Sequence, residues 1–153
     1  VDTRKTVPGL RTLDKYAVRM GGGYNHRFNL GDGILIKDNH LEAMRKTNVS
    51  LKETIHIARQ NTPHTLKIEV EVENLDQVSE ALDANVELIM LDNMNLKQRA
   101  AATQMAKGRA LVEASGGVNL KTVRSVAETG VDIISVGALT HSVKSLDLSL
   151  DLT

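Results

Sequence analysis

Four groups of residues in this chain are of types that do chemistry, and each falls where a short aliphatic run ends or a glycine turn follows. Arg4, Lys5, His26, Arg27 and Lys37 make a basic set in the first quarter. Arginine forks match carboxylates in bidentate fashion, and this set carries more positive charge than one phosphate requires. A small polycarboxylate beside a phosphorylated substrate would use it. Glu71 and Asp92 are carboxylates with no cysteine or tight histidine cluster nearby. They suit a hard cation such as Mg²⁺, held directly or through water. Ser115-Gly116-Gly117 and Gly137-Ala138, with His141 just beyond, are small-residue turns. Glycine lets backbone amides approach an oxyanion, and a helix opening at Asn119 would aim its positive end at the first turn. The same glycines would also serve two tight βα turns with no ligand at all. No Walker P-loop, H-E-x-x-H or G-x-S-x-G pattern is present, and Gly21-Gly22-Gly23 follows a helix, so it reads as a helix stop.

The elements that must position these residues alternate. Aliphatic runs at 34–37, 66–72, 86–92, 110–114 and 132–136 are separated by amphipathic stretches. Ser50 with Glu53 forms a capping box, Asn74 with Gln77 opens a second helix, Asn95 a third and Asn119 a fourth. An earlier helix runs from about Leu10 to Met20. Strands and helices alternating at this spacing predict βαβ units and a parallel sheet. Leu66-Lys67-Ile68-Glu69-Val70-Glu71-Val72-Glu73 alternates strictly, which puts three acids and a lysine on one face. That face is either the polar lumen of a barrel or the solvated side of an edge strand. By the same parity Glu113 and Ser115 share a face. An eight-stranded barrel takes roughly 250 residues. This chain of 153 shows five strands and a stub at Val1-Asp2-Thr3, so the expected fold is a parallel (β/α) barrel, TIM-like, in one domain over 1–153, and incomplete either by design or because the chain has lost its beginning.

Composition narrows the function classes. Nineteen Lys and Arg balance nineteen Asp and Glu, so no net field draws the chain to nucleic acid or an anionic membrane. The balance conceals an uneven distribution, with 11 of the basic and 6 of the acidic residues in the first sixty. With Tyr16, Tyr24 and Phe28 as the only aromatics, a base-stacking platform is disfavoured. Cysteine is absent, which removes disulfides and thiolate chemistry. No run is long enough to span a bilayer, and the expected compartment is the cytoplasm.

The order Asp2-Thr3-Arg4-Lys5-Thr6-Val7-Pro8-Gly9, Asn25-His26-Arg27, Leu35-Ile36-Lys37-Asp38-Asn39-His40, Glu69-Val70-Glu71, Leu91-Asp92-Asn93, Glu113-Ala114-Ser115-Gly116-Gly117 and Val136-Gly137-Ala138-Leu139-Thr140-His141 strongly resembles the quinolinate phosphoribosyltransferases. The likeness covers essentially the whole chain. It implies an incomplete α/β barrel and a Mg²⁺-dependent transfer of phosphoribose from phosphoribosyl pyrophosphate to quinolinate, with decarboxylation. Nicotinate mononucleotide, pyrophosphate and CO₂ are the implied products, in de novo NAD biosynthesis. It implies that Arg4, His26, Arg27 and Lys37 bind quinolinate, and that Lys5, Lys37, Glu71 and Asp92 are the catalytic set. Glu71 and Asp92 would serve the metal, and Ser115, Gly116, Gly117, Gly137, Ala138 and His141 the 5-phosphate. Members of the family carry an N-terminal domain ahead of the Thr-Arg-Lys-Thr motif and pair as homodimers. The expectation is that this chain lacks that domain and is a homodimer or higher homo-oligomer. Two rival readings stand beside this one. They are a phosphoribosyltransferase-like enzyme acting on another ring, and a catalytically incomplete barrel fragment that binds a phosphorylated ligand or a partner chain.

Overall fold

A computed structural model describes residues 1–152. Five parallel strands, β1 (Ile34–Ile36), β2 (Ile68–Val72), β3 (Leu88–Asp92), β4 (Leu111–Ser115) and β5 (Ile133–Ile134), lie side by side in chain order. The helices are α1 (Arg11–Met20), α2 (Asp38–Arg45), α3 (Leu51–Gln60), α4 (Leu75–Asp83), α5 (Leu96–Ala106), α6 (Val123–Ala127) and α7 (Ala138–His141). A stub continues the sheet past β5: Val1 N donates to Ile134 O at 2.7 Å and Val136 N to Val1 O at 3.0 Å, the alternation of a parallel bridge. This is the sixth position expected at Val1-Asp2-Thr3.

Alternating parity sorts every strand into two sides. Ile36, Ile68, Val70, Val72, Ile89, Leu91 and Val112 pack under the helices with Leu41, Leu51, Ile55, Val78, Leu82 and Ala102 in one core. Burying each of these larger aliphatic side chains contributes roughly 1.5–3 kcal/mol. The opposite parity holds Leu35, Glu69, Glu71, Met90, Asp92, Glu113 and Ser115. Glu71 pairs in register with Met90, and Met90 with Glu113. β2 has a neighbour on each side and is buried along its whole length, so its acids occupy a lumen and the solvated-edge alternative is excluded. The sheet curls far enough for His26 to touch acids on β2 and β4 at once.

Local chemistry explains the element boundaries. Ser50 Oγ accepts Glu53 N while Glu53 Oε2 accepts Ser50 N, and the Asn95–Gln98 pair repeats the device. Gly21 ends α1, and Gly22 takes a left-handed φ of 85°. Two expectations need correction. Regular helix after Asn119 begins only at Val123, because Asn119 spends its side chain on Lys121 N and a turn through Thr122 comes first. Leu120, within that turn, is 97% exposed. Helix α2 was not expected; its cap is His40 Nδ1, which accepts Lys37 N at 2.9 Å, and histidine is an uncommon residue for that task.

The N-terminal segment is fixed by polar contacts. Asp2, fully buried, accepts Lys15 Nζ at 2.6 Å, His26 N at 2.7 Å and Asn25 Nδ2 at 2.7 Å. Lys15 Nζ also donates to His26 O at 3.0 Å. Lys15→Met leaves the Asp2 carboxylate without its countercharge. We expect urea unfolding to show a loss of about 3–5 kcal/mol, the range for breaking one side of a buried pair.

Candidate active site

One cavity of about 570 Å³ opens at the carboxyl ends of the strands. It gathers the predicted residues Arg4, Lys5, His26, Arg27, Lys37, Glu71, Asp92, Ser115, Gly116, Gly117, Gly137 and His141 on its wall. Ala138 is not on the wall; it heads the one-turn helix α7, so Gly137-Ala138 is a helix start instead of an open turn. The His141 ring folds back over Gly137, where a Cβ would sit 2.8 Å from Nε2.

On one wall, Gly116 and Gly117 follow β4 with φ of 86° and 64°. Consecutive left-handed residues turn backbone N–H groups to one side, a concavity suited to anions. Space as well as φ demands glycine at Gly116, since a Cβ there would overlap the Asn93 side-chain oxygen. Arg99, inside α5, is 5% exposed and donates from Nη2 to Ser115 O at 2.8 Å, so it pins this turn from behind. No spacing rule singles out Arg99, and it went unnoticed in the sequence.

Across the cavity Arg4 and Arg27 stand near one another. Arg27 donates to Gly33 O at 2.9 Å, and burial together with the Arg4 charge lowers its pKa from the usual guanidinium value. Nε of each arginine is buried without a partner. Two repelling cations with spare donors are arranged for an anion. Between the walls, Lys37 Nζ lies 3.2 Å from Glu71 Oε2, and Asp92 Oδ2 accepts Asn93 Nδ2 at 2.8 Å. Burial raises the Glu71 pKa above the ordinary carboxylate value, Lys37 pulls it back, and the Asp92 charge adds to the rise. Glu71 and Asp92 thus offer hard oxygen donors to one cavity, a donor set that fits a hydrated Mg²⁺.

His26 reaches the lumen floor, where Nε2 lies 3.2 Å from Glu69 Oε2 and 3.5 Å from Glu113 Oε2. These three groups are close enough for a shared cation. However, Nε2 faces the two carboxylates as a hydrogen-bond donor, so it has no lone pair for a metal.

The model of the quinolinate phosphoribosyl transferase C-terminal domain matches residues 1–151. The chain belongs to this family. It is 50% identical over 152 residues to a probable carboxylating nicotinate-nucleotide pyrophosphorylase of Bacillus subtilis, covering 99% of this chain and 51% of that protein. It is likewise 50% identical to the carboxylating nicotinate-nucleotide pyrophosphorylase of Mycobacterium leprae, covering 99% and 52%. The crystal structure of NadC from Streptococcus pyogenes superimposes with a TM-score of 0.88 at 49% identity, over 95% of this chain and 50% of that one. The chain therefore spans about half the length of these relatives. Its TIM-like parallel fold and the order of its motifs are those of the quinolinate phosphoribosyl transferase C-terminal domain.

Two outcomes test this geometry. Gly116→Ala forces a non-glycine residue into the left-handed region against Asn93, and we expect a loss of about 1–3 kcal/mol in denaturant unfolding. The His26 pKa is pushed from 6.5 up to about 9, chiefly by hydrogen bonds to Glu113 and Glu69 and in spite of desolvation. A raised folded-state pKa stabilises fully below the unfolded value and is lost through the folded one. Unfolding free energy measured in chemical denaturant should fall between pH 6.5 and about 9, and His26→Gln should flatten that slope.

Proposed function

We propose that this chain carries the catalytic cavity of a quinolinate phosphoribosyltransferase, joining quinolinate to phosphoribosyl pyrophosphate with loss of CO₂ to give nicotinate mononucleotide. The observation that carries the reading is one cavity with a paired-arginine wall, a glycine-amide wall and two carboxylates between them. Quinolinate bears two carboxylates on adjacent ring carbons, and Arg4, Arg27, His26 and Lys37 supply cations for both. The glycine amides of Gly116 and Gly117 suit the 5-phosphate, with Gly137 and His141 beside it. Lys5, at the mouth next to Arg4, serves the pyrophosphate.

Such a site works by positioning and electrostatics. The quinolinate nitrogen forms a bond to ribose C1 as the C1–O bond to pyrophosphate breaks, with positive charge developing on the sugar ring. Glu71 and Asp92 stabilise that charge and orient the ribose hydroxyls. Mg²⁺ held by Glu71 and Asp92 would neutralise the departing pyrophosphate. Lys37, tied to Glu71, holds substrate and carboxylate in one arrangement. The quaternised ring then accepts the electron pair of the breaking bond to the adjacent carboxylate, and that ring carbon takes up a proton.

The same reading places the protein in the cytoplasm as a homodimer or higher homo-oligomer. In support, α1 turns Leu13, Tyr16 and Met20 outward, each over 60% exposed, while Lys15 and Val18 face inward. An apolar stripe of that kind asks for a covering surface. No helix of the described residues is long and apolar enough to cross a membrane.

The test is nicotinate mononucleotide formation by this chain with quinolinate, phosphoribosyl pyrophosphate and Mg²⁺. Product dependent on quinolinate is expected, and Lys37→Ala should lower turnover by at least about tenfold, near 1.4 kcal/mol of barrier, with the fold intact by circular dichroism. Wild-type turnover in the variant removes Lys37 from the mechanism. A folded chain that binds phosphoribosyl pyrophosphate by calorimetry but forms no product supports the second reading, a barrel that binds the phosphorylated ligand without turning it over.

A further inference from the structure

Arg99 has no part in the chemistry above, and its surroundings leave its charge unanswered. It sits inside α5 at 5% exposure, yet it enters no ion pair among the described residues. Its Nε is buried without a partner. Burial depresses its pKa, and the Asp92 charge, beyond ion-pair distance, acts the other way. A buried cation with no countercharge beside it is costly. What Arg99 does hold is the backbone of the glycine turn: Nη2 donates to Ser115 O at 2.8 Å and reaches Gly116 O at 3.5 Å. That turn is a thin partition. Gly116 and Gly117 border the active cavity on one side and, on the other, a cavity of about 350 Å³ that Arg99 lines.

Peptide geometry says what this grip does. In a trans peptide the C=O and N–H point in opposite directions, and no cis bond occurs in the chain. The carbonyls of Ser115 and Gly116 are drawn towards α5, so the N–H groups of Gly116 and Gly117 point away from it, to the side of the active cavity. Neither N–H is spent on a backbone carbonyl among the described residues. Glycine turns freely, so a run of two would scatter these amides unless something held the carbonyls.

We propose that Arg99 is a positioning residue for substrate phosphate: its guanidinium aims the Gly116 and Gly117 amides into the active cavity and sets behind them a positive charge that the bound phosphate balances. The amides are then oriented before the ligand arrives, and the cost of ordering them is not charged to binding. A buried guanidinium also acts on an anion across the turn more strongly than an exposed one would, because little water screens it. An apolar residue at this place in α5 would fill the same space and do neither. Naming the phosphate as the 5-phosphate of a phosphoribosyl group rests on the function given above; the grip on the turn does not.

The test uses ribose 5-phosphate, which carries that phosphate and no pyrophosphate. Calorimetry with the wild type, Arg99→Met and Arg99→Lys compares it with quinolinate, whose cations lie on the opposite wall. Arg99→Met should weaken ribose 5-phosphate by about tenfold or more and quinolinate by less than about twofold. Arg99→Lys keeps the charge and one donor, and should recover about threefold or more of that loss. In the isotope-labelled chain, the Gly116 and Gly117 amide resonances should move on adding ribose 5-phosphate, and move less in Arg99→Met at equal saturation. Should Arg99→Met fail to fold by circular dichroism, Arg99→Gln supplies the neutral comparison. Ribose 5-phosphate affinity within about twofold of wild type in the neutral variant overturns the proposal. So does an equal loss for both ligands, which marks a merely structural role. A wild type that does not bind ribose 5-phosphate, or binds it without moving the two glycine amides, overturns it as well. If ribose 5-phosphate depends on Arg99 while quinolinate binds no form of the chain, the substrate assignment fails and the role of Arg99 is upheld.

Discussion

The buried Asp2 carboxylate holds the cavity's basic wall to the rest of the fold. Three donors converge on it, from α1, from Asn25 and from the peptide N–H of His26. It lies two residues before Arg4, on a stub that pairs with β5, so the same few atoms fix where Arg4 and Lys5 leave the sheet and where His26 and Arg27 enter the lumen. Ladder hydrogen bonds could not do this for a three-residue stub alone. A carboxylate with its acceptor sites filled supplies directional bonds in a dry setting, where each is stronger than in water and none can be lost singly.

A polar lumen is tolerable because the other parity of the same strands is so thoroughly apolar. Ile68, Val70, Ile89 and Leu91 are fully buried under the helices, and they fix the register that sets Glu71, Met90 and Glu113 in one row. A slip of one residue would send the acids into the helix layer, which no cation there could balance. Register thus protects the chemistry through the core. Charge then partitions along the lumen: carboxylates on β2 and β4, arginines on the segments that close the gap between the stub and β1, and uncharged glycine amides after β4.

How much of this was legible in the sequence follows from the range of each force. The Ser50–Glu53 and Asn95–Gln98 caps are local, so α3 and α5 were readable. The alternation of Glu69 and Glu71 with valines revealed a polar face, but lumen and solvent give the same pattern until β3 is seen pairing with β2. Asn119 misled because Asx turns and helix caps use the same side-chain oxygen, and only the following turns decide between them. Arg99 gave no signal, since a basic residue on a helix is ordinarily solvated and this one is buried by a turn sixteen residues away. Glu113 was visible by parity as a lumen residue, yet nothing in the sequence joined it to His26, eighty-seven positions earlier. The cavity residues were read from their places at strand ends and glycine turns and given roles by resemblance to a family, a route that names substrate-touching positions more readily than the groups behind them.

The groups behind them are what make the cavity more than a list of charges. Arg27 and Arg4 repel one another, and a free pair of guanidinium groups in water would separate. Here Gly33 O holds the Arg27 guanidinium, and Arg11 Nη2 donates to the Arg4 carbonyl at 3.4 Å, which fixes the backbone from which the Arg4 side chain leaves. An anion relieves the repulsion, which makes ligand binding favourable before any contact with the ligand's shape is counted. Lys37 and Glu71 are set oppositely: the half-exposed ammonium already pairs with the buried carboxylate, so the two ask little of a ligand. The like-charged end of the cavity is therefore the part that gains most from an anion, and the neutralised middle the part that gains least.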